Sequence, residues 1–170
     1  FEPSYFWADT MTVTTYIGLG SNLRDSRQIL SEAITKLKSL GEVKVSKLYQ
    51  SPPMGPQDQP NYLNALAQLK TELLPLELLD QLQRFEHEAG RVRLRHWGER
   101  TLDLDLLIYG NEKIQNERLT VPHVGILQRD FVVIPLLDLD AGLHINDQPL
   151  KNLELIQQPT LTVLADESWA

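Results

Sequence analysis

Residues 101–109, Thr-Leu-Asp-Leu-Asp-Leu-Leu-Ile-Tyr, carry the clearest strand pattern in this chain of 170 residues. Leucine and aspartate alternate from Leu102 to Leu106, as expected for a strand with one face against a core and the other toward water. Successive side chains of a strand point to opposite faces of its sheet. We therefore predict that the alternating leucines are buried and that Asp103 and Asp105 project together from the other face.

The segments around this strand predict an α+β fold. The order strand, helix, strand, strand, helix, strand is that of the ferredoxin-like unit, an antiparallel sheet with helices packed on it. We expect a single domain over residues 11–170, in which a short helical pattern from Val121 to Leu139 is followed by a weakly patterned tail. The upstream elements are a strand from Thr12 to Leu19, a helix that Asp25 caps and Gly41 ends, a strand from Val43 to Gln50, a strand from Tyr62 to Thr71 and a helix from about Pro75 to Ala89.

The composition excludes several classes of function. The formal net charge is -7 and the pI is about 5.1, so the overall field disfavours nucleic acid and anionic membranes as partners. A phosphate ligand must then meet a local positive patch or a metal ion. The chain has no cysteine, which excludes disulfides, zinc–thiolate sites, iron–sulfur clusters and a cysteine nucleophile. No apolar run approaches the roughly 18 residues that a bilayer-spanning helix needs.

The first ten residues, Phe1 to Thr10, precede Met11 and fit neither a signal peptide nor a periodic element. We expect Met11 to be the native start and residues 1–10 to be an added leader outside the fold. We further expect the protein to act as a monomer in the cytoplasm.

Asp103 and Asp105 form a D-x-D pair whose backbone positions stand roughly 7 Å apart on one face of the strand. Two carboxylates at this spacing can converge on one hard cation or straddle two, and Mg²⁺ is commonly held by one or two carboxylates plus phosphate oxygens. The alternative is the solvated face of an ordinary antiparallel strand, which alternates in the same way.

The ten residues before the strand are strongly basic. Four arginines stand against one glutamate between Arg91 and Arg100, a local charge of +3 within a chain of negative charge. The planar guanidinium suits phosphate oxygens and keeps its charge when water is excluded. An anion-binding loop that leads into two metal-ligand candidates is what phosphoryl transfer requires. The alternative is a solvated basic loop, against which Trp97 argues, because a tryptophan among charges must pack on something or close over a ligand.

Gly18 and Gly20 form a G-x-G pattern at the end of the first predicted strand. A third glycine and a lysine are missing from the pattern of a phosphate-binding loop. We interpret both glycines as structural, because a turn from strand to helix requires glycine at unusual φ values.

Several separated motifs stand in a characteristic order along the chain. They are HWGERTLDLDLL at residues 96–107, GLGSNL at 18–23, SPPMGPQ at 51–57 with YLN at 62–64, GRVR at 90–93 and RLTVPH at 118–123. In this order they resemble the 6-hydroxymethyl-7,8-dihydropterin pyrophosphokinase family of folate synthesis, over the chain from about Thr12 to Leu137. Agreement of several motifs in one order is far more specific than a lone D-x-D.

The resemblance implies an ATP-dependent diphosphokinase that binds ATP and 6-hydroxymethyl-7,8-dihydropterin. It implies that Asp103 and Asp105 hold two Mg²⁺ ions and, with Arg91 and Arg100, form the catalytic group. It implies a nucleotide site of Gln83, Glu86, Arg93, Arg118, Thr120, His123 and Arg129, and a pterin site of Ser51, Pro52, Pro53, Met54, Gly55, Tyr62, Asn64, Trp97 and Phe131. An aromatic pair can hold a flat heterocycle, and an asparagine offers its edge both a donor and an acceptor.

The residues alone leave other interpretations open. Tyr62 and Phe131 are also compatible with core aromatics, His123 with a loop cap, and Gln83 and Glu86 with one solvated helix face. A dedicated general base is not evident, although Asp105 could accept a proton. One rival function is another metal-dependent nucleotidyl or glycosyl transferase, which would not require a pterin. Another is a non-catalytic ferredoxin-like module, which would not require Mg²⁺.

Overall fold

The computed structural model describes residues 11–23, 25–53, 55, 57–90 and 101–170. Among these residues, the strands are β1 (Val13–Ser21), β2 (Glu42–Val45), β3 (Leu48–Ser51), β4 (Tyr62–Thr71), β5 (Asp103–Tyr109), β6 (Ile114–Gln115), β7 (Thr120–Val121), β8 (His144–Ile145), β9 (Gln148–Pro149) and β10 (Thr162–Ala165). The α-helices are α1 (Ser26–Lys38), α2 (Pro75–Glu88) and α3 (Asp130–Leu139). Short 3-10 turns occupy Ile126–Gln128, Leu150–Asn152, Glu154–Gln157 and Glu167–Trp169.

Six of the described strands form one antiparallel sheet, in the order β10, β3, β4, β1, β5, with β2 also paired to β4. Helix α1 follows β1 and α2 follows β4, so the predicted strand and helix order is present. The predicted α+β fold, an antiparallel sheet with packed helices, is confirmed. β4 occupies the predicted residues, Tyr62–Thr71.

Both faces of the sheet are covered, which places a core on each side. Helices α1 and α2 pack on one face, and α3 packs on the other. Each helix presents apolar residues at the three- and four-residue spacing of a single stripe. The buried residues are Leu30, Ala33, Ile34 and Leu37 in α1, Leu78, Leu79, Leu82 and Phe85 in α2, and Val132, Val133, Leu136 and Leu139 in α3.

The prediction of one strand from Val43 to Gln50 is wrong, because the segment forms two strands, β2 and β3. Val45 pairs with Ala67 but Tyr49 pairs with Asn64, so four residues on one side span three on the other. The extra residue is a local bulge of the kind that bends a strand. Ser46 lies at the break, where its hydroxyl accepts a hydrogen bond from the amide of Leu66 at 2.8 Å.

The weakly patterned tail contributes a strand, β10, to the edge of the main sheet. Its residues are mostly exposed and give no apolar alternation, so periodicity could not reveal it. Trp169 anchors the end of the tail, since it is buried and its indole nitrogen donates to the carbonyl of Ser46 at 2.8 Å. Of the predicted helical segment from Val121 to Leu139, α-helix occupies Asp130–Leu139. Within the part of the chain that the structure describes, no helix has the length and apolar character to cross a bilayer.

Candidate active site

A cavity of about 680 Å³ opens on the sheet face that α3 covers. This volume lies in the range of small-molecule sites, about 300–1,000 Å³. Its floor comes from β1, β4 and β5, and its walls come from the ends of β3 and β4, the start of α3 and the tail. The lining residues are Gly18, Leu19, Gly20, Ser51, Pro52, Tyr62, Asn64, Ala65, Leu66, Asp103, Asp105, Leu107, Gln128, Arg129, Asp130, Phe131, Val132 and Thr160.

Two glycines of the central strand β1 form the middle of the floor. Gly20 pairs with Asn64 on one side and with Asp103 on the other, while Gly18 pairs with Asp105. Neighbouring strands lie about 4.8 Å apart, so Asn64 and Asp103 stand roughly 10 Å apart across Gly20. Because Gly20 has no side chain, β1 places no side-chain atoms between the Asn64 amide and the Asp103 carboxylate.

The interpretation of Gly18 and Gly20 as turn residues with unusual φ is wrong. Both lie within β1, and neither has a positive φ, unlike Gly41 and Gly110. A Cβ added at Gly20 would meet its nearest neighbour, Asn64 Oδ1, at 3.7 Å, an ordinary contact. The sheet itself therefore does not require glycine at this position, and an absent side chain instead leaves the cavity floor open.

Strand β5 presents both carboxylates to the cavity. Leu102, Leu104 and Leu106 are only 2%, 4% and 4% exposed, whereas Asp103 is half-buried and Asp105 is exposed. The predicted alternation of buried leucines and outward aspartates is therefore confirmed as geometry. This alternation follows from strand geometry, in which every second side chain lies on the same face of the sheet.

Glu86, predicted near the nucleotide, lies beneath β5. It is buried on α2, and its Oε2 accepts a hydrogen bond from the amide of Leu104 at 2.8 Å. Leu104 stands between the two aspartates, so this bond fixes the strand that carries them. Because this acceptor is buried, the Leu104 amide would lose its partner without a water to replace it if Glu86 were removed.

Five of the residues assigned to the pterin line the cavity. Asn64 is buried, and its Nδ2 donates to Ser51 Oγ at 3.0 Å, which orients the amide. Pro53 and Gly55 do not line it, and their carbonyls instead accept from the Gln57 side chain at 3.1 and 3.0 Å. The five lining residues are Ser51, Pro52, Tyr62, Asn64 and Phe131.

Of the residues assigned to the nucleotide, Arg129 lines the cavity, with its guanidinium carbon 5.9 Å from the centre of the Phe131 ring. Two others meet outside it: Arg118 Nη2 donates to Gln83 Oε1 at 3.1 Å and pairs with Asp80 at 2.6 Å. These groups are exposed and lie on α2 and just before β7.

Thr120 and His123 are also not among the residues that line the cavity. Thr120 begins β7, and His123 follows it in a loop that is bonded to β5 through the His123 amide and the Leu107 carbonyl, 2.8 Å apart. The His123 ring accepts from the amide of Gly125 at Nδ1, 3.0 Å away. The predictions for Met54, Arg91, Arg93, Trp97 and Arg100 lie outside the described residues.

Sequence reasoning missed several residues of the cavity. Gln128, Asp130 and Thr160 line it, yet none belongs to a motif that points to chemistry. Thr160 comes from the weakly patterned tail, and no periodic signal could place it there. Asp130 could have been suspected only from its position between Arg129 and Phe131.

Helix α3 is tied to strand β3 near its far end by Asp138. The hydroxyl of Tyr49 donates to Asp138 Oδ2 at 2.6 Å, and the amide of Lys47 donates to the same oxygen at 3.2 Å. Burial of the Tyr49 ring, followed by the hydrogen bond to Asp138, raises the pKa of the phenol well above its ordinary value.

Comparison with known proteins identifies relatives across most of the chain. Residues 16–141 match the family model of 7,8-dihydro-6-hydroxymethylpterin-pyrophosphokinase. A Haemophilus influenzae protein named 2-amino-4-hydroxy-6-hydroxymethyldihydropteridine pyrophosphokinase is 52% identical over 149 residues, covering 86% of this chain and 92% of that protein. A Pseudomonas aeruginosa protein of the same name is 46% identical over 140 residues, covering 81% and 86%.

The fold is also similar to a solved structure of Plasmodium falciparum HPPK-DHPS with pteroate. The TM-score is 0.66 over 84% of this chain, at 14% sequence identity. This chain spans 42% of the length of that solved chain. At this identity the likeness concerns the fold.

Proposed function

Because the chain belongs to the 7,8-dihydro-6-hydroxymethylpterin-pyrophosphokinase family, we propose that it transfers diphosphate from ATP to the hydroxymethyl group of 6-hydroxymethyl-7,8-dihydropterin in folate biosynthesis. The resemblance drawn from the sequence motifs is thereby confirmed. The chain is a diphosphokinase, a transferase of phosphorus-containing groups. The observation that carries the assignment to this cavity is its open glycine floor, with Asp103 and Asp105 on one side and Asn64 on the other.

The Asn64 side of the cavity suits the pterin. The side-chain amide of Asn64 is buried, and its Nδ2 donates one hydrogen bond to Ser51 Oγ. That bond also fixes the orientation of the Asn64 side-chain carbonyl oxygen. Tyr62 and Phe131 supply aromatic surface from different walls, and a flat heterocycle packs well between aromatic faces. We assign the ring to the space among these three side chains, with its hydroxymethyl arm toward β5.

The β5 side of the cavity suits magnesium. Asp103 and Asp105 offer carboxylate oxygens, the ligands that Mg²⁺ prefers. Among the described residues no group of three or more Asp, Glu, His or Cys side chains forms a closed metal cage, and this fits an ion that takes its other ligands from water and substrate phosphate. We propose that these two aspartates hold two Mg²⁺ ions. Bound Mg²⁺ would neutralise charge on the diphosphate and favour ionisation of the attacking hydroxyl.

The nucleotide reaches the cavity past the exposed cations. Arg129 lies at the cavity itself, and Arg118 lies farther out beside Gln83. We propose that Arg129 contacts phosphate oxygens and that Arg118 and Gln83 contact the nucleoside portion of ATP. The assignments of Arg91, Arg93 and Arg100 to the phosphates, and of Trp97 to the pterin, remain proposals from the motifs.

Catalysis in this arrangement depends chiefly on positioning and charge. The pterin hydroxymethyl oxygen attacks the β-phosphorus of ATP, and the bond from that phosphorus to the oxygen bridging the α-phosphorus breaks. AMP leaves with the bridging oxygen. Holding the two substrates in line lowers the entropic part of the barrier, and fixed cations stabilise charge on the transferring group. We propose Asp105, which is exposed and lines the cavity, as the group that accepts the hydroxyl proton.

The experiment is product analysis by phosphorus NMR after incubation with ATP, Mg²⁺ and 6-hydroxymethyl-7,8-dihydropterin. We expect one AMP for each pterin diphosphate formed, and no AMP when the pterin is omitted. Asp103→Asn and Asp105→Asn should each reduce turnover by at least about a hundredfold with an unchanged circular dichroism spectrum. The exposed Glu154, which does not line the cavity, provides the matched control Glu154→Gln, which should keep normal turnover.

Three outcomes contradict the proposal. Release of ADP instead of AMP would show transfer of a single phosphate. Turnover of ATP that does not depend on the pterin would favour a different metal-dependent transferase. No binding of ATP with Mg²⁺, measured by calorimetry, would favour a non-catalytic module.

A further inference from the structure

Asp130 and Thr160, thirty residues apart, form a close polar contact at the edge of the cavity. The amide of Thr160 donates to Asp130 Oδ2, and the Thr160 hydroxyl lies 2.8 Å from Oδ2 and 3.1 Å from Oδ1. One residue of the tail thus directs both of its donors at a single carboxylate. Both residues line the cavity.

The contact joins two walls that are otherwise built from different parts of the chain. Asp130 is the first residue of α3 and lies between Arg129 and Phe131. Thr160 comes two residues before Thr162, which pairs with Gln50 of β3. Pro52, two residues after Gln50, lines the cavity as Thr160 does. The pair therefore connects the Phe131 wall with the Pro52 wall.

Helix α3 is bonded at one end to β3 and at the other end to the segment just before β10, the strand next to β3. Asp138 accepts from Tyr49 at the end away from the cavity, and Asp130 accepts from Thr160 at the end beside it. The first contact is partly buried, whereas the second is exposed to water. Exposed hydrogen bonds add little to global stability, because water replaces them in the unfolded chain. Their effect is local, on the placement of the first turn of α3.

We propose that the Asp130–Thr160 pair positions Phe131 and so sets the width of the slot that receives the pterin ring. The inference rests on the proposed function, which places the ring between Phe131 and the opposite wall. When Phe131 is already held in place, pterin binding does not have to order this side chain. The loss of conformational entropy on binding is then smaller. Asp130 and Thr160 are positioning residues, since they act on the pterin through Phe131.

The test measures pterin affinity in the absence of ATP by calorimetry, together with steady-state kinetics. Thr160→Val removes the hydroxyl but keeps the shape of the side chain. It should weaken pterin binding about fivefold, the loss expected for one ordinary hydrogen bond. KM for the pterin should rise by a similar factor with little change in kcat or in KM for ATP. Asp130→Ala removes the acceptor of both Thr160 donors and should weaken pterin binding at least as much, and Asp130→Asn, which keeps an acceptor, should recover part of the affinity.

A double substitution shows whether the two residues act as one unit. Thr160→Val combined with Asp130→Ala should bind the pterin no more weakly than Asp130→Ala alone, because the hydroxyl has no partner left to lose. Fully additive losses would overturn the proposal, since the two residues would then act independently. A rise in KM for ATP with normal pterin affinity would also overturn it.

Tyr49→Phe is the matched control, because it too removes one hydroxyl that donates to a carboxylate of α3. It should lower the thermal midpoint and leave pterin affinity unchanged. Equal pterin affinity in wild type and Thr160→Val overturns this inference alone, provided that the wild type forms AMP. A wild type that neither binds the pterin nor forms AMP overturns the proposed function, and the inference with it.

Discussion

Replacing Gly20 by alanine should separate stability from activity. The new Cβ would lie 3.7 Å from Asn64 Oδ1 and 3.9 Å from the carbonyl oxygen of Leu63, so it meets no clash. Gly20 does not have a positive φ, and a glycine replaced at such a site stabilises by about 0.4–1 kcal/mol through the unfolded chain. In a domain of this size that free energy raises the thermal midpoint by about 1–4 °C.

Activity should move in the opposite direction. The methyl carbon would stand about 1.5 Å above the cavity floor, between the carboxylate of Asp103 and the amide of Asn64. A displacement of about 1 Å in a reacting group can cost up to a hundredfold, so kcat/KM should fall by about tenfold to a hundredfold.

Calorimetry and steady-state rates of AMP formation check both parts of this prediction. Gly142→Ala is the matched control: its Cβ also has its nearest neighbour at 3.7 Å, but Gly142 lies outside the cavity. It should gain similar stability and keep full activity. A Gly20→Ala protein with wild-type kcat/KM would refute the placement of the substrates over β1.

Three further predictions address the nucleotide, the support beneath β5 and the pH dependence of stability. Arg118→Ala should raise KM for ATP about tenfold in steady-state assays, as expected for loss of a charge-assisted contact, and an equal rise in KM for the pterin would contradict its assignment. Glu86→Ala leaves the buried amide of Leu104 without this acceptor and should lower the free energy of unfolding in urea by about 1–3 kcal/mol, whereas an unchanged value would remove its supporting role. Folding raises the pKa of Tyr49 above its ordinary value of 10.0. The contribution of Tyr49 to the free energy of unfolding is therefore complete below about pH 10. It is lost as the pH rises further, because there the phenol ionises in the unfolded chain and not in the folded one. Urea titrations should show stability falling above about pH 10, less steeply in Tyr49→Phe; an equal slope would contradict this cause.

The sequence predicts the sheet and the two carboxylates because both depend on local periodicity. The alternation from Leu102 to Leu106 determines which side chains enter the core. A one-residue shift in register would expose the leucines and bury the aspartates. The predicted bounds of β4, Tyr62–Thr71, are those that the structure has. Motif order in the chain was sufficient to predict the family.

What the sequence leaves out depends on contacts between distant residues. The break at Ser46 follows from pairing with β4, and strand β10 is exposed and has no alternation of its own. Thr160 reaches the cavity only because the tail returns to the edge of the sheet. Gly18 and Gly20 were misinterpreted because glycine has two physical uses, special φ values and close approach of a ligand, and composition cannot distinguish them.

The most direct test of the account locates the metal by NMR. Paramagnetic Mn²⁺ favours the same carboxylate and phosphate oxygens as Mg²⁺, and the nitrogen-labelled protein would be titrated with it in the presence of the unreactive analogue α,β-methylene-ATP. We predict that the amide signals of Gly18, Gly20, Asp103 and Asp105 broaden first. Broadening centred instead on Asp138 and Asp140, at the far end of α3, would contradict it.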